Sequence, residues 1–183
     1  AGLIIDPLTG IITPEGSSVA TYTIEYTTSG PTSCTSADIA TSADDARSVF
    51  AADMDGDGDM DILSASFADD AIAWYENNGA ANPTWTATDI ATSADGAQSV
   101  FAADMDGDGD MDIVSASYHD DTHAWYENDG AADPTWTASN ISTSADEALS
   151  VFAGDMAGDG QMYIITAQSH ATTNHWYDND RCA

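Results

Sequence analysis

A nine-residue segment, Asp53-Met54-Asp55-Gly56-Asp57-Gly58-Asp59-Met60-Asp61, recurs unchanged from Asp104 to Asp112. A worn copy runs Asp155-Met156-Ala157-Gly158-Asp159-Gly160-Gln161-Met162-Tyr163. The step between copies is a constant 51 residues. A fixed step of this size means an array of like units that bury their apolar faces on one another. Alternating carboxylates with glycines between them suit a hard cation bound through oxygen.

The unit from Ser48 to Asp95 reads as strands throughout. Ser48–Ala52 precedes the Asp-rich loop, and Ile62–Ser66, Ala71–Tyr75 and Trp85–Ala91 follow it. Each is a short run of β-formers bounded by Gly, Asp, Asn or Pro. Helical periodicity is absent. Four strands in about 50 residues is the size of one propeller blade. The expected fold is all-β: a small propeller-like ring of three four-stranded blades.

Aligning the copies brings out a seam. Trp74, Trp125 and Trp176 coincide, and Trp85 and Trp136 align with Cys34. Thr35–Thr41 matches Thr86–Thr92, a fourth strand with no blade before it, while the last copy stops after its third strand. An N-terminal strand that completes the final blade closes a ring, either within one chain or across two. Cys34 and Cys182 fall at the two sides of that seam. A disulfide between them would contribute roughly 4–5 kcal/mol in the chain-entropy model and implies an oxidising compartment. Two unrelated buried thiols is the plainer alternative. Three blades is fewer than the usual four to eight. The domain reading is therefore an N-terminal β arm over 1–33 and a repeat domain over 34–183.

Charge narrows the partners. The 183 residues hold 32 acids, two arginines (Arg47, Arg181) and no lysine, for a formal charge of −30. With no basic patch to displace counterions, nucleic acid is excluded, and anionic membrane surfaces are disfavoured. No stretch is long and apolar enough to span a bilayer. No secretory signal is visible at Ala1, so a secreted protein would be the mature form.

Val49-Phe50-Ala51-Ala52 before the Asp-rich loop, and Ala73-Trp74-Tyr75-Glu76-Asn77-Asn78-Gly79 after it, resemble an FG-GAP or VCBS-type repeat. The resemblance runs from about Cys34 to Cys182. Such repeats build the propeller heads of integrin α chains, some fungal lectins and many bacterial and algal surface proteins, usually with seven blades. It implies an extracellular or cell-surface location and calcium held in a D-x-D-x-D-G-x-x-D loop. Carried over, the first site is Asp53, Asp55, Asp57 and Asp61, with the carbonyl of Asp59, turning at Gly58. The second is Asp104, Asp106, Asp108, Asp110 and Asp112, turning at Gly109. Calcium outweighs magnesium because many flexible carboxylates suit a larger coordination sphere. Without Cys or His in the loops, zinc and copper are disfavoured. The alternative, a solvated acidic turn, leaves five aspartates repelling one another. The third loop keeps Asp155, Asp159 and the carbonyl of Gln161 and is a degenerate site.

No constellation points to catalysis. His119 and His123 flank a turn and read as exposed turn residues, and the carboxylates are already assigned to loops. The repeated Trp74, Trp125 and Trp176 read as blade packing rather than sugar platforms, while Trp85 and Trp136 fall at strand starts and read as partly exposed. Asn140-Ile141-Ser142 is a sequon for N-linked sugar. In the first thirty residues, Val19–Tyr26 alternates apolar and polar, and Gly2–Gly10 resembles the opening strands of bacterial immunoglobulin-like surface domains. Two or three strands make no core alone. Packing on the chain's own ring is the plainer home for their apolar face; the expected one is another molecule, giving self-association through residues 1–30 and a head-to-tail filament. The expected role is a calcium-stabilised structural subunit of an extracellular fibre or surface assembly. The alternative is a lectin or adhesin that binds glycans or protein through blade loops.

Overall fold

The computed structural model describes residues 3–5, 12–14, 36–170 and 174–178. The chain divides into two units, Ala1–Ser36 and Ala37–Ala183. In the first, β1 (Leu3–Ile5) and β2 (Ile12–Pro14) pair antiparallel, with Leu3 opposite Pro14 and Ile5 opposite Ile12. The alternating segment Val19–Tyr26, and the two cysteines of the expected Cys34–Cys182 bridge, lie outside the described residues.

The second unit is built from strands, turns and loops, with no helix among the described residues. The first sheet is β3 (Ala46–Ala52), β4 (Asp61–Ser66), β5 (Ala71–Asn77) and β6 (Trp85–Ala91). The second is β7 (Ala97–Ala103), β8 (Asp112–Ser117), β9 (Thr122–Asn128) and β10 (Trp136–Ser142). The third is β11 (Ala148–Gly154), β12 (Tyr163–Gln168) and β13 (His175–Asp178). All three are antiparallel meanders in chain order. The first strand of each carries a register shift at the same place: Ala46/Ser48, Ala97/Ser99 and Ala148/Ser150. That recurrence marks a built feature of the repeat.

The middle strands β4 and β8 are buried almost throughout, their Ser-Ala-Ser ends included. The outer strands β6 and β10 are Thr-, Ser- and Asp- or Asn-bearing and mostly exposed. One apolar core joins the first two sheets, where Met54, Leu63 and Trp74 meet Val100, Ile113 and Tyr126. A second joins sheets two and three, where Met105 and Val114 meet Val151 and Ile164. A ladder of rings crosses both: Phe50 to Phe101 at 4.6 Å, and Phe101 to Phe152 at 4.5 Å. The Val100 N–H donates to Ser48 Oγ at 3.3 Å, and the Val151 N–H to Ser99 Oγ at 3.3 Å.

The repeated valine makes this packing measurable. Val100 and Val151 are each 4% exposed, whereas Val49, in the same place on the first sheet, is 69% exposed. Val100→Ala is expected to cost about 2 kcal/mol of unfolding free energy, and Val49→Ala less than about 0.5 kcal/mol. Urea denaturation of the two variants checks this.

Two expectations are corrected here. The strand expected over Thr35–Thr41 is absent from its described part, Ser36–Thr41, and among the described residues the third sheet ends at β13. A strand exists by its ladder partner, and this segment has none among the described residues. His123 is not an exposed turn residue. The turn ends at Asp121, and β9 carries His123 inward to full burial, where β5 places Ile72. Neither ring nitrogen has a hydrogen-bond partner among the described residues. Burial, and then the nearby His175, push its pKa down to about 4. His119 is exposed, its Nδ1 3.9 Å from Asp95. Trp74 is buried and Trp125 half-buried in the packing, whereas Trp176 is exposed. Trp85 and Trp136 are half-buried, and Trp136 lies edge-on to Trp74 at 6.5 Å.

Candidate metal centre

Each Asp-rich loop joins the first two strands of its sheet, so a β-hairpin fixes both of its ends. The loop's first aspartate shapes it. Asp53 accepts the Gly56 and Gly58 N–H groups at 2.9 and 3.0 Å, and Asp104 those of Gly107 and Gly109 at 2.7 and 3.1 Å. Asp155 does the same for Gly158 and Gly160 at 2.6 and 2.9 Å. These bonds draw its pKa down in the third loop, where the Gly160 N–H contributes most. Gly58 and Gly109 have φ of 96° and 103°, a backbone that a Cβ would strain.

The structure brings together the first three aspartates of each intact loop. Carboxylate oxygens of Asp53, Asp55 and Asp57 lie within 4.8 Å of one another, as do those of Asp104, Asp106 and Asp108. Three oxygens at that spacing can hold a metal ion, and an all-carboxylate donor set fits a hard one. Asp55 is already pushed above the usual carboxylate range, first by burial and then by Asp57, Asp61 and Asp53. A cation would relieve that crowding.

The last aspartate of the loop is placed differently. Asp61 is buried, and its two oxygens accept the Met54 N–H at 3.0 Å and the Asn77 N–H at 2.8 Å. Asp112 repeats this with Met105 at 3.0 Å and Asn128 at 2.8 Å. These carboxylates tie the loop to the third strand of the sheet. Burial outweighs the two N–H bonds and raises the Asp112 pKa to about 6. Asp59 and Asp110 donate their N–H groups to Asp57 and Asp108 at 2.8 and 3.0 Å, and their carboxylates lean against Gly79 and Gly130.

The third loop lacks the middle acid. Ala157 stands between Asp155 and Asp159, and the Tyr163 hydroxyl donates to Asp159 Oδ2 at 3.4 Å. Gln161 keeps the backbone bond to Asp159 at 3.1 Å. Asn140 is exposed on β10, beside the irregularity at Asn140/Ser142.

The aspartates alone did not reveal two further parts of the site. Glu76 is raised above its usual range by burial and then by Asp55. Asn77 and Asn128 clip the loop through Nδ2 to the Met60 and Met111 carbonyls, at 3.0 and 3.1 Å. The recurrence of Glu-Asn before an Asn-Gly or Asp-Gly turn is the signal that marks them. Gly79 at φ 66° and Gly130 at φ 67° hold a backbone that an L side chain strains, and an added Cβ would also push the leaning Asp59 or Asp110 carboxylate aside. Gly79→Ala and Gly130→Ala are each expected to cost about 1–2 kcal/mol, read from urea midpoints.

Comparison with known proteins bears on the repeat that carries these loops. No curated protein gave a significant match. The FG-GAP-like repeat pattern matches twice, over residues 53–115 and 104–166, each match running from one Asp-rich loop into the next sheet. Together they take in both three-aspartate clusters and most of the three stacked sheets. The chain belongs to the FG-GAP-like repeat family.

Proposed function

We propose that the chain is a calcium-stabilised structural subunit of an extracellular fibre or cell-surface assembly. The observation that carries this reading is the pair of three-aspartate clusters at repeat-equivalent places in a chain of formal charge −30. An all-oxygen donor set with three carboxylates favours calcium over magnesium, which demands a tighter octahedron and keeps more of its water. An ion there fastens the hairpin of its sheet and offsets part of the chain's self-repulsion.

The remaining parts of the reading follow from the repeat. Three sheets packed in series, each a meander, support blades of the propeller type. FG-GAP-like repeats are typical of extracellular and surface proteins, a setting in which a Cys34–Cys182 bridge would persist. No helix among the described residues is long and apolar enough to cross a membrane. The loop carboxylates serve the clusters and the backbone, and the role is non-catalytic. Residues 1–30 act as the arm that joins one copy to the next.

Deletion of residues 1–30 tests the assembly reading. In millimolar calcium the full chain is expected to form extended particles by electron microscopy. The shortened chain is expected to give much smaller ones by light scattering. Full and shortened chains that are both monomeric would contradict it.

A further inference from the structure

Both internal interfaces are made by the same pair of faces. One face carries Phe50, Met54 and Trp74 in the first sheet, and Phe101, Met105 and Trp125 in the second. It packs on the face that carries Val100 and Tyr126 in the second sheet, and Val151 and Tyr177 in the third. Among the described residues no further sheet covers the two outermost faces, although Tyr75 on the first is already buried beside the chain's own Ala37, Ile39 and Ala43. On the first sheet the valine-bearing face exposes Val49, and Met60 is 53% exposed there. On the third sheet, Met156 is 67% exposed where Met54 is 2%, and Trp176 is 64% exposed where Trp74 is 3%.

We propose that a second copy of this chain covers these faces, with the Phe152–Met156–Trp176 face docked on the Val49–Met60 face of the next copy. The occupant follows from the chain's own packing. In both places where a Phe-Met-Trp face is covered, a Val-Tyr face of the next repeat covers it. The first sheet presents that Val-Tyr face, with a groove of about 260 Å³ lined by Ile39, Val49, Ile62 and Tyr75 among others.

The polar details continue as well. Phe152 ends a ring ladder that the next copy's Phe50 extends. Ser150 stands where Ser48 and Ser99 accept a valine N–H from the following sheet. Asn77 stands where Asn128 donates through Nδ2 to the preceding sheet's Met54 carbonyl at 2.9 Å. On the next copy it meets the Met156 carbonyl.

Such an interface joins two different faces, so it propagates head to tail. It deepens the assembly reading above and rests on it, adding a broad contact that is separate from the arm. The high negative charge opposes it, and physiological salt, with a screening length of about 8 Å, permits it.

The test uses full chains with calcium present. One preparation carries Met60→p-benzoylphenylalanine, a photo-reactive group at the rim of the valine-bearing face. The other is labelled with ¹⁵N. After mixing and irradiation, mass spectrometry is expected to find position 60 joined to the labelled copy near Met156 or Trp176. Trp176→Glu in the labelled copy is expected to remove that product, while circular dichroism shows the fold kept. Capture only within one chain, or none on the third sheet while the mixture still assembles, overturns the stacking and leaves the assembly reading standing. Chains that stay monomeric at every concentration overturn both.

Discussion

Removal of calcium by a chelator is expected to lower the melting temperature by roughly 10–20 °C. A site held at a hundred times its dissociation constant adds about 2.7 kcal/mol, so two sites add about 5 kcal/mol. For a chain of this size each kcal/mol moves the melting temperature by about 2–4 °C. The cause is the crowding already visible at Asp55, whose pKa is raised by burial and by neighbouring aspartates. Asp57→Asn and Asp108→Asn keep an oxygen for the Asp59 and Asp110 N–H groups and remove only the charge. Each is expected to abolish about half of the chelator effect. Asp159→Asn in the third loop is expected to leave it unchanged, because that loop lacks the middle acid. Scanning calorimetry reads all of these. Equal stabilisation by sodium at matched ionic strength would mean screening alone.

Acid is expected to weaken the chain through one buried histidine. His123 sits at 0% exposure and its pKa is pushed down to about 4. An unfolded histidine titrates near 6.5. Below that value the unfolded chain binds a proton that the folded chain refuses. Stability is therefore full above about pH 6.5 and falls as pH drops towards 4, by about 3 kcal/mol in all. Among the described residues, His175 and Tyr177 lie near the ring, the latter at 6.4 Å between ring centres. Neither offers an anion to hold an imidazolium. His123→Ile restores the residue that β5 carries at the same place, Ile72, itself fully buried. Urea unfolding at pH 7 and pH 5 in excess calcium is expected to separate variant from parent by about 2 kcal/mol more at pH 5. An identical pH dependence in the two proteins would sink this account.

The repeat carried most of the fold. A fixed step, β-rich runs and the aligned tryptophans placed eleven of the strands, β3 to β13, in their sheets. Periodicity does this well because every unit must present the same two faces to its neighbours. It failed where a residue departs from its repeat equivalents. His123 looked like turn chemistry because its neighbours are polar, yet register alone decides that it points inward. The Asp-rich loop showed a similar limit. Its composition points to a cation, but composition does not separate carboxylates that gather from those that staple. Asp53, Asp55 and Asp57 gather, while Asp61 spends both oxygens on backbone N–H groups. Only the backbone path, turning at positive φ through Gly56 and Gly58, sorts one from the other. The expected strand over Thr35–Thr41 rested on sequence match to β6, and a match cannot supply the ladder partner that makes a strand.

Calorimetric titration of metal-stripped full chain with calcium tests the central claim most directly. Two binding events per chain are expected, one lost in Asp57→Asn and the other in Asp108→Asn, with Asp159→Asn keeping both. No tight calcium uptake, or uptake untouched by those two substitutions, would contradict it.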